Sequence, residues 1–194
     1  MKILFLGDVV GISGCSKVLN NLRSEVEKRK IDFVIVNAEN SASPGVGLTE
    51  QICKDFFNCG VNVITSGNHV WDQKEIMSYI DKENRLLRPY NLFEPSPGKG
   101  FEIYKTSNNI KIGVLNLMGN VFMKKCEDVF EISKKFLKNH ELKKDYDLLI
   151  VDFHGEITSE KNAIGHFFDG KASLVIGTHT HIPTNDARIL TSGT

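Results

Sequence analysis

The 194-residue chain carries 24 Lys+Arg against 24 Asp+Glu, so no net field draws it to a nucleic-acid duplex or an anionic membrane. Hydrophobic residues at 41% and charged residues at 25% give the makeup of a folded domain with a core, which excludes a disordered segment. The apolar start MKILFLG stops at Asp8, too short for a signal-peptide core or a membrane span, so a cytoplasmic location and no membrane partner are expected. ILFLG at 3–7 reads as a first buried strand, followed by Asp8. Helical spacing over 15–29 leads to the run DFVIVN at 32–37, with Glu39 and Asn40 just beyond it. A helix over 49–59 precedes VNVITSG at 61–67, and Asn68 and His69 follow. The helix predicted over 72–81 opens with Asp72 and Glu75, the spacing of a capping box. Pro89 to Gly100 is rich in Pro and Gly and breaks the rhythm; FEIYKT, the turn SNN and IKIGVLNL then read as an antiparallel hairpin. Next come a helix over 127–144, the strand DLLIVDF at 147–153 with His154 after it, and a helix over 158–168. ASLVIG at 172–177 ends in His179 and His181.

Strands alternating with helices imply an α/β domain with crossover connections, and the hairpin adds a second, partly antiparallel sheet. A single domain over 1–194 is the simplest organisation. The closing ILTSGT reads as a strand and turn whose partner strand does not follow, an open edge at which a second copy of the chain can associate as a homo-oligomer. Four cysteines without a CxxC pair read as free thiols and not as a metal site.

In open α/β sheets the loops leaving the carboxyl ends of strands gather in one crevice. Asp8, Glu39, Asn40, Asn68, His69, His154, His179 and His181 all stand at such positions, including four of the six histidines. The pair in VIGTHTHIPT is by itself compatible with two polar loop residues; membership of this cluster favours metal. Oxygen and imidazole donors without a thiolate suit manganese, iron or zinc, and the set is large enough for two ions. Two such ions can hold a hydroxide and clamp the oxygens of a phosphorus centre, which implies phosphoester hydrolysis. Rival chemistries lack their residues: GDVVGISGC has neither GxGxxG nor the Lys-Ser/Thr ending of a P-loop, and no GxSxG occurs. His140 and His166 lie in helical segments without neighbouring ligands and read as surface or partly packed residues. Asp152, inside a strand, reads as a carboxylate supporting a ligand, and the lysines of 134–144 as the solvated face of a helix.

GDVVG (7–11), NAEN (37–40), GNHVWD (67–72), DFHGEITSEK (152–161) and GTHTH (177–181), in this order, resemble the calcineurin-like metallophosphoesterases. More closely they resemble the YmdB-like branch, 2',3'-cyclic-nucleotide 2'-phosphodiesterases. The wider superfamily has a histidine two residues after the first aspartate, a bridging aspartate where Glu39 stands, and GHxH in place of GTHTH; the closer branch shares this chain's departures. The resemblance implies a metallophosphoesterase-type α/β sandwich of two mixed β-sheets flanked by helices. It assigns Asp8, Glu39, Asn40 and His181 to one metal and Glu39, Asn68, His154 and His179 to the other, with iron or manganese ahead of zinc. His69 is implied as a catalytic residue that stabilises the transition state or protonates the departing ribose oxygen. The implied substrate is a small-molecule phosphodiester, a 2',3'-cyclic nucleotide, or an RNA-derived equivalent. Members of that branch continue beyond the point matching Thr194, so a C-terminally incomplete domain is expected. A phosphomonoesterase or phosphoprotein phosphatase with the same metals, and a non-catalytic phosphate- or RNA-binding regulator, are the competing functions.

Overall fold

A computed structural model describes residues 1–43 and 45–194, which divide into two compact units, Met1–Arg88 with Pro97–Lys99 and Pro89–Ser96 with Gly100–Thr194. In the first unit β1 (Ile3–Leu6), β2 (Phe33–Asn37) and β3 (Val63–Thr65) form a parallel sheet in the order β1-β2-β3. Every residue of β2 is buried, which is why its apolar run is unbroken instead of alternating. The crossovers are α1 (Gly11–Arg29), which buries Val18 and Leu22, and α2 (Glu50–Cys59), which buries Cys53 and Phe56. α2 starts at Thr49, whose hydroxyl accepts the Ile52 N–H at 3.3 Å. It stops at Gly60, where a φ of 112° suits only a residue without a side chain.

The helix predicted over 72–81 contracts to α3 (Ile76–Tyr79) followed by a 3-10 turn, Ile80–Lys82. Its capping box does not form. Asp72 pairs with the His69 ring at 2.6 Å, and Glu75 accepts the backbone N–H of Glu50 at 3.0 Å. Partners distant from the helix end outcompete a cap worth about 1 kcal/mol.

The second unit is built on β4 (Phe101–Lys105), β5 (Lys111–Met118), β6 (Leu148–His154) and β7 (Leu174–Thr178), in the order β4-β5-β6-β7. β4 runs antiparallel to β5 and the other pairs are parallel. Of the two sheets expected, this one is mixed and the first is parallel. The helices are α4 (Val129–Asn139) and α5 (Thr158–Phe167). Leu115, Leu117, Phe136, Val151, Phe153 and Phe168 form the centre of the core. Asp128 caps α4 by accepting the N–H groups of Phe130 and Glu131 at 3.0 and 2.9 Å. α4 ends at Asn139, short of the expected 144, because the next residues turn to bury Tyr146 ahead of β6. His140 lies 4.7 Å from both the Phe101 and the Phe136 ring, a packed position as expected.

The expected strand in ILTSGT is not formed. Ser192 and Thr194 donate backbone N–H groups to Asp169, and the Thr194 hydroxyl donates to the carbonyls of Phe168 and Ala172, so the segment folds as a turn. All four cysteines are free thiols, and burial pushes the Cys126 thiol up to about 11. Among the described residues, no helix is long and apolar enough to cross a membrane.

Candidate active site

Register explains why the first unit collects donors. Leu6 pairs with Val36 and Val36 with Ile64, so the three parallel strands end level. Asp8, Glu39 and Asn68 stand two, three and four residues past those paired positions. Backbone hydrogen bonds join the loops that carry them: Val9 N–H to the Asn37 carbonyl at 3.0 Å and Gly11 N–H to the Asn40 carbonyl at 2.8 Å. Glu39 is fully buried, and its Oε2 accepts the backbone N–H of His69 at 3.0 Å. The His69 ring is half-buried, with Nδ1 2.6 Å from Asp72 Oδ2. A carboxylate can only accept, so Nδ1 carries the hydrogen and Nε2 remains for other chemistry.

Asn40 offers the test of fit for a cation. It is buried, and its Nδ2 donates to the Gly45 carbonyl at 2.9 Å, which identifies the other amide atom as the oxygen. That Oδ1 is buried and accepts no hydrogen bond among the described residues. Leaving such an oxygen unsatisfied costs about 1–3 kcal/mol, a deficit a cation removes. Ser133 Oγ and Tyr146 OH share the condition, but neither sits in a set of metal-type donors.

In the second unit His154 is the last residue of β6 and pairs in register with Thr178, the last of β7. His154 Nε2 and His179 Nδ1 face each other at 3.1 Å. Two nitrogens each about 2.0–2.1 Å from one ion, at angles between square and tetrahedral, lie about 2.9–3.4 Å apart, so the spacing fits shared ligation. The other nitrogen of His154 is 3.0 Å from the Thr178 hydroxyl, which donates to Asp152 Oδ1 at 2.7 Å. His179 Nε2 lies 3.0 Å from Glu156 Oε2. His179 and His181 have φ of 97° and 55°, so the extended geometry that would put an i, i+2 pair on one side does not apply. Positive φ in two non-glycine residues is a local cost that concentrates at functional loops.

Of the residues singled out from the sequence, the first unit thus brings Asp8, Glu39, Asn40, Asn68 and His69 to the carboxyl end of its sheet. The second brings together His154 and His179 and sets the exposed His181 two residues on. Asp152 supports a histidine as expected, through Thr178. Sequence reasoning missed Asp72 as the partner of His69, and missed Thr178 and Glu156. For Asp72 the signal was present, since it stands three residues after His69 in GNHVWD.

The fold has close counterparts among solved structures. A hypothetical protein from Thermus thermophilus superposes with a TM-score of 0.90 at 35% identity, covering 99% of this chain and 73% of that one. A structure described as a novel phosphatase from Mycoplasma pneumoniae gives 0.89 at 40% identity, covering 100% and 69%. Two sheets with flanking helices, bearing carboxylate, amide and imidazole donors at strand ends, define a hydrolase of the metallophosphoesterase type. A model of the YmdB-like protein family matches residues 4–194, and the chain belongs to that family. It is 43% identical, over all of its length and 72% of the relative's, to the 2',3'-cyclic-nucleotide 2'-phosphodiesterase of Bacillus subtilis.

Proposed function

We propose that the protein is a dinuclear metal phosphodiesterase that opens 2',3'-cyclic nucleotides to 3'-nucleotides. Asp8, Glu39, Asn40 and His181 would hold one ion, and Glu39, Asn68, His154 and His179 would hold the other. Iron or manganese suits these donors, as does zinc. The observation that carries this reading is the convergence of His154 Nε2 and His179 Nδ1 at 3.1 Å, with the first ring braced through Thr178 to buried Asp152. The unsatisfied Asn40 oxygen and the activity named for the Bacillus subtilis relative support it.

When bound, the ions supply Lewis acidity that ionises water near neutral pH and neutralises charge on the phosphorus oxygens. This chain's own residues direct the bond that breaks. Glu39 holds the His69 backbone in place, and Asp72 holds Nδ1–H, leaving Nε2 to carry a proton. As water adds to phosphorus and the bond to the ribose 2'-oxygen breaks, that oxygen takes the Nε2 proton, leaving a 3'-phosphate.

Hydrolysis of 2',3'-cyclic AMP and metal content, measured together on wild type and His69→Ala, test the assignment. The variant is expected to retain its metal and to lose turnover by about a hundredfold to ten-thousandfold. Loss of metal in the variant would show His69 to be a ligand. Equal wild-type turnover of aryl monoesters and cyclic diesters would overturn the diesterase reading.

A further inference from the structure

We propose that Phe122 is the platform on which the nucleobase of the substrate stacks, so that the loop after β5 sets the protein's preference for a nucleotide over a bare cyclic phosphate. The inference deepens the cyclic-nucleotide reading and rests on it. Its starting point is one loop in the second unit. Met118, the last residue of β5, pairs in register with His154, and Gly119 N–H donates to the His154 carbonyl at 2.9 Å. Phe122 follows three residues later, so at most about 11 Å of chain separates it from Gly119, which is hydrogen-bonded to the backbone of a proposed metal ligand. A nucleoside whose phosphate lies at His154 spans that order of distance with its base outermost.

Phe122 is 83% exposed, and its φ is 61°. A bulky residue gains nothing from the left-handed region, and an aromatic ring gains nothing from water. Both costs fall on the same residue, in a loop that is otherwise firmly held. Glu160, on α5 and almost fully buried, accepts the N–H of Asn120 at 2.8 Å and that of Val121 at 3.4 Å. A Cβ at Gly119 would lie 2.5 Å from the same carboxylate, so only glycine permits this grip. On the far side of the tip, Asn91 Nδ2 donates to the Glu127 carbonyl at 3.0 Å, and Asn120 Oδ1 accepts the Val129 N–H at 2.9 Å. Both stems are clamped, and the tip presents Val121 and Phe122 outward, with exposed Lys124 and Lys125 beside them. An aromatic face carried on a clamped loop, with positive charge beside it, suits a flat base on a phosphate-bearing ligand, and stacking tolerates any base.

The test compares two five-membered cyclic diesters, 2',3'-cyclic AMP and glycerol 1,2-cyclic phosphate, which has no base. Phe122→Ala is expected to raise KM for cyclic AMP on the order of five- to hundredfold while leaving KM for the glycerol diester unchanged. Phe122→Trp is expected to restore the wild-type value. Thermal unfolding of both variants should match wild type, because the side chain buries little. An unchanged KM for cyclic AMP in an otherwise active Phe122→Ala variant overturns the stacking role and leaves the proposed function standing. An equal rise for both diesters also overturns it, since the ring would then be shaping the loop and not meeting a base. Absence of wild-type turnover of 2',3'-cyclic AMP overturns the proposed function, and the stacking role falls with it.

Discussion

The two units fix their candidate ligands by different means. In the first, carboxylates and amides stand on turns just past level parallel strands, and backbone N–H groups do the fixing: Val9 on Asn37, Gly11 on Asn40, His69 on Glu39. In the second, histidine is held by a buried side-chain relay from Asp152 through Thr178, and its neighbours adopt positive φ. The difference follows from the donors. A carboxylate or amide oxygen offers lone pairs over a broad arc, so placing the backbone is enough. An imidazole nitrogen offers one lone pair along one line, so the ring must be locked through its other nitrogen.

The contrast is broken most severely at the one imidazole of the first unit. His69 is the exception there, since its ring, like those of the second unit, is locked by a side chain. Asp72→Asn removes the anion that holds Nδ1–H and permits the opposite tautomer. Turnover of 2',3'-cyclic AMP is expected to fall about a hundredfold with metal content unchanged, and Asp72→Glu should recover part of it. Loss of metal in Asp72→Asn would place Asp72 among the ligand supports instead.

A smaller effect sharpens the second half of the comparison. Thr178→Val keeps the shape of the side chain but cuts the relay, leaving His154 Nδ1 and Asp152 without the hydroxyl between them. Metal affinity, measured by titration of the stripped protein with manganese, is expected to weaken about ten- to hundredfold. If affinity is unchanged, the ring is being held by packing alone.

What the sequence disclosed and what it withheld divide along the same line. Buried parallel strands are unbroken apolar runs, so FVIVN and DLLIVDF announce where they end, and the ligand candidates follow within a few residues of those ends. Backbone-borne donors are therefore readable. Asp152 is readable as a support from its place two residues before His154, but the link between them is not, because it depends on which side chains meet across strands: Thr178 reaches Asp152 and His154, which lie 26 and 24 residues away. Asp72 misled for a different reason, since a spacing of three residues to Glu75 satisfies a helix cap as well as it satisfies nothing at all. Phe122 gave no signal, because an exposed phenylalanine and a core one are the same letter and only the clamped loop separates them. ILTSGT has the composition of a strand but finds side-chain and backbone partners around Asp169 in place of a ladder.

The smallest predicted effect is the control that ties these differences to the site and not to general stability. Asp128 accepts two N–H groups at the start of α4 and belongs to neither ligand set. Asp128→Ala removes a cap worth about 1 kcal/mol, which for a chain of 194 residues corresponds to about 2–4 °C in Tm. Manganese affinity should be unchanged, because α4 bears on the core through Val129 and Phe136 and contributes no donor. If this variant lost metal as Thr178→Val is expected to, the imidazole set would depend on the rigidity of the whole second unit, and the relay through Thr178 would have no special claim. A fall in Tm with affinity intact separates the two, since it shows that a loss of stability in the second unit does not by itself loosen the ring that the relay holds.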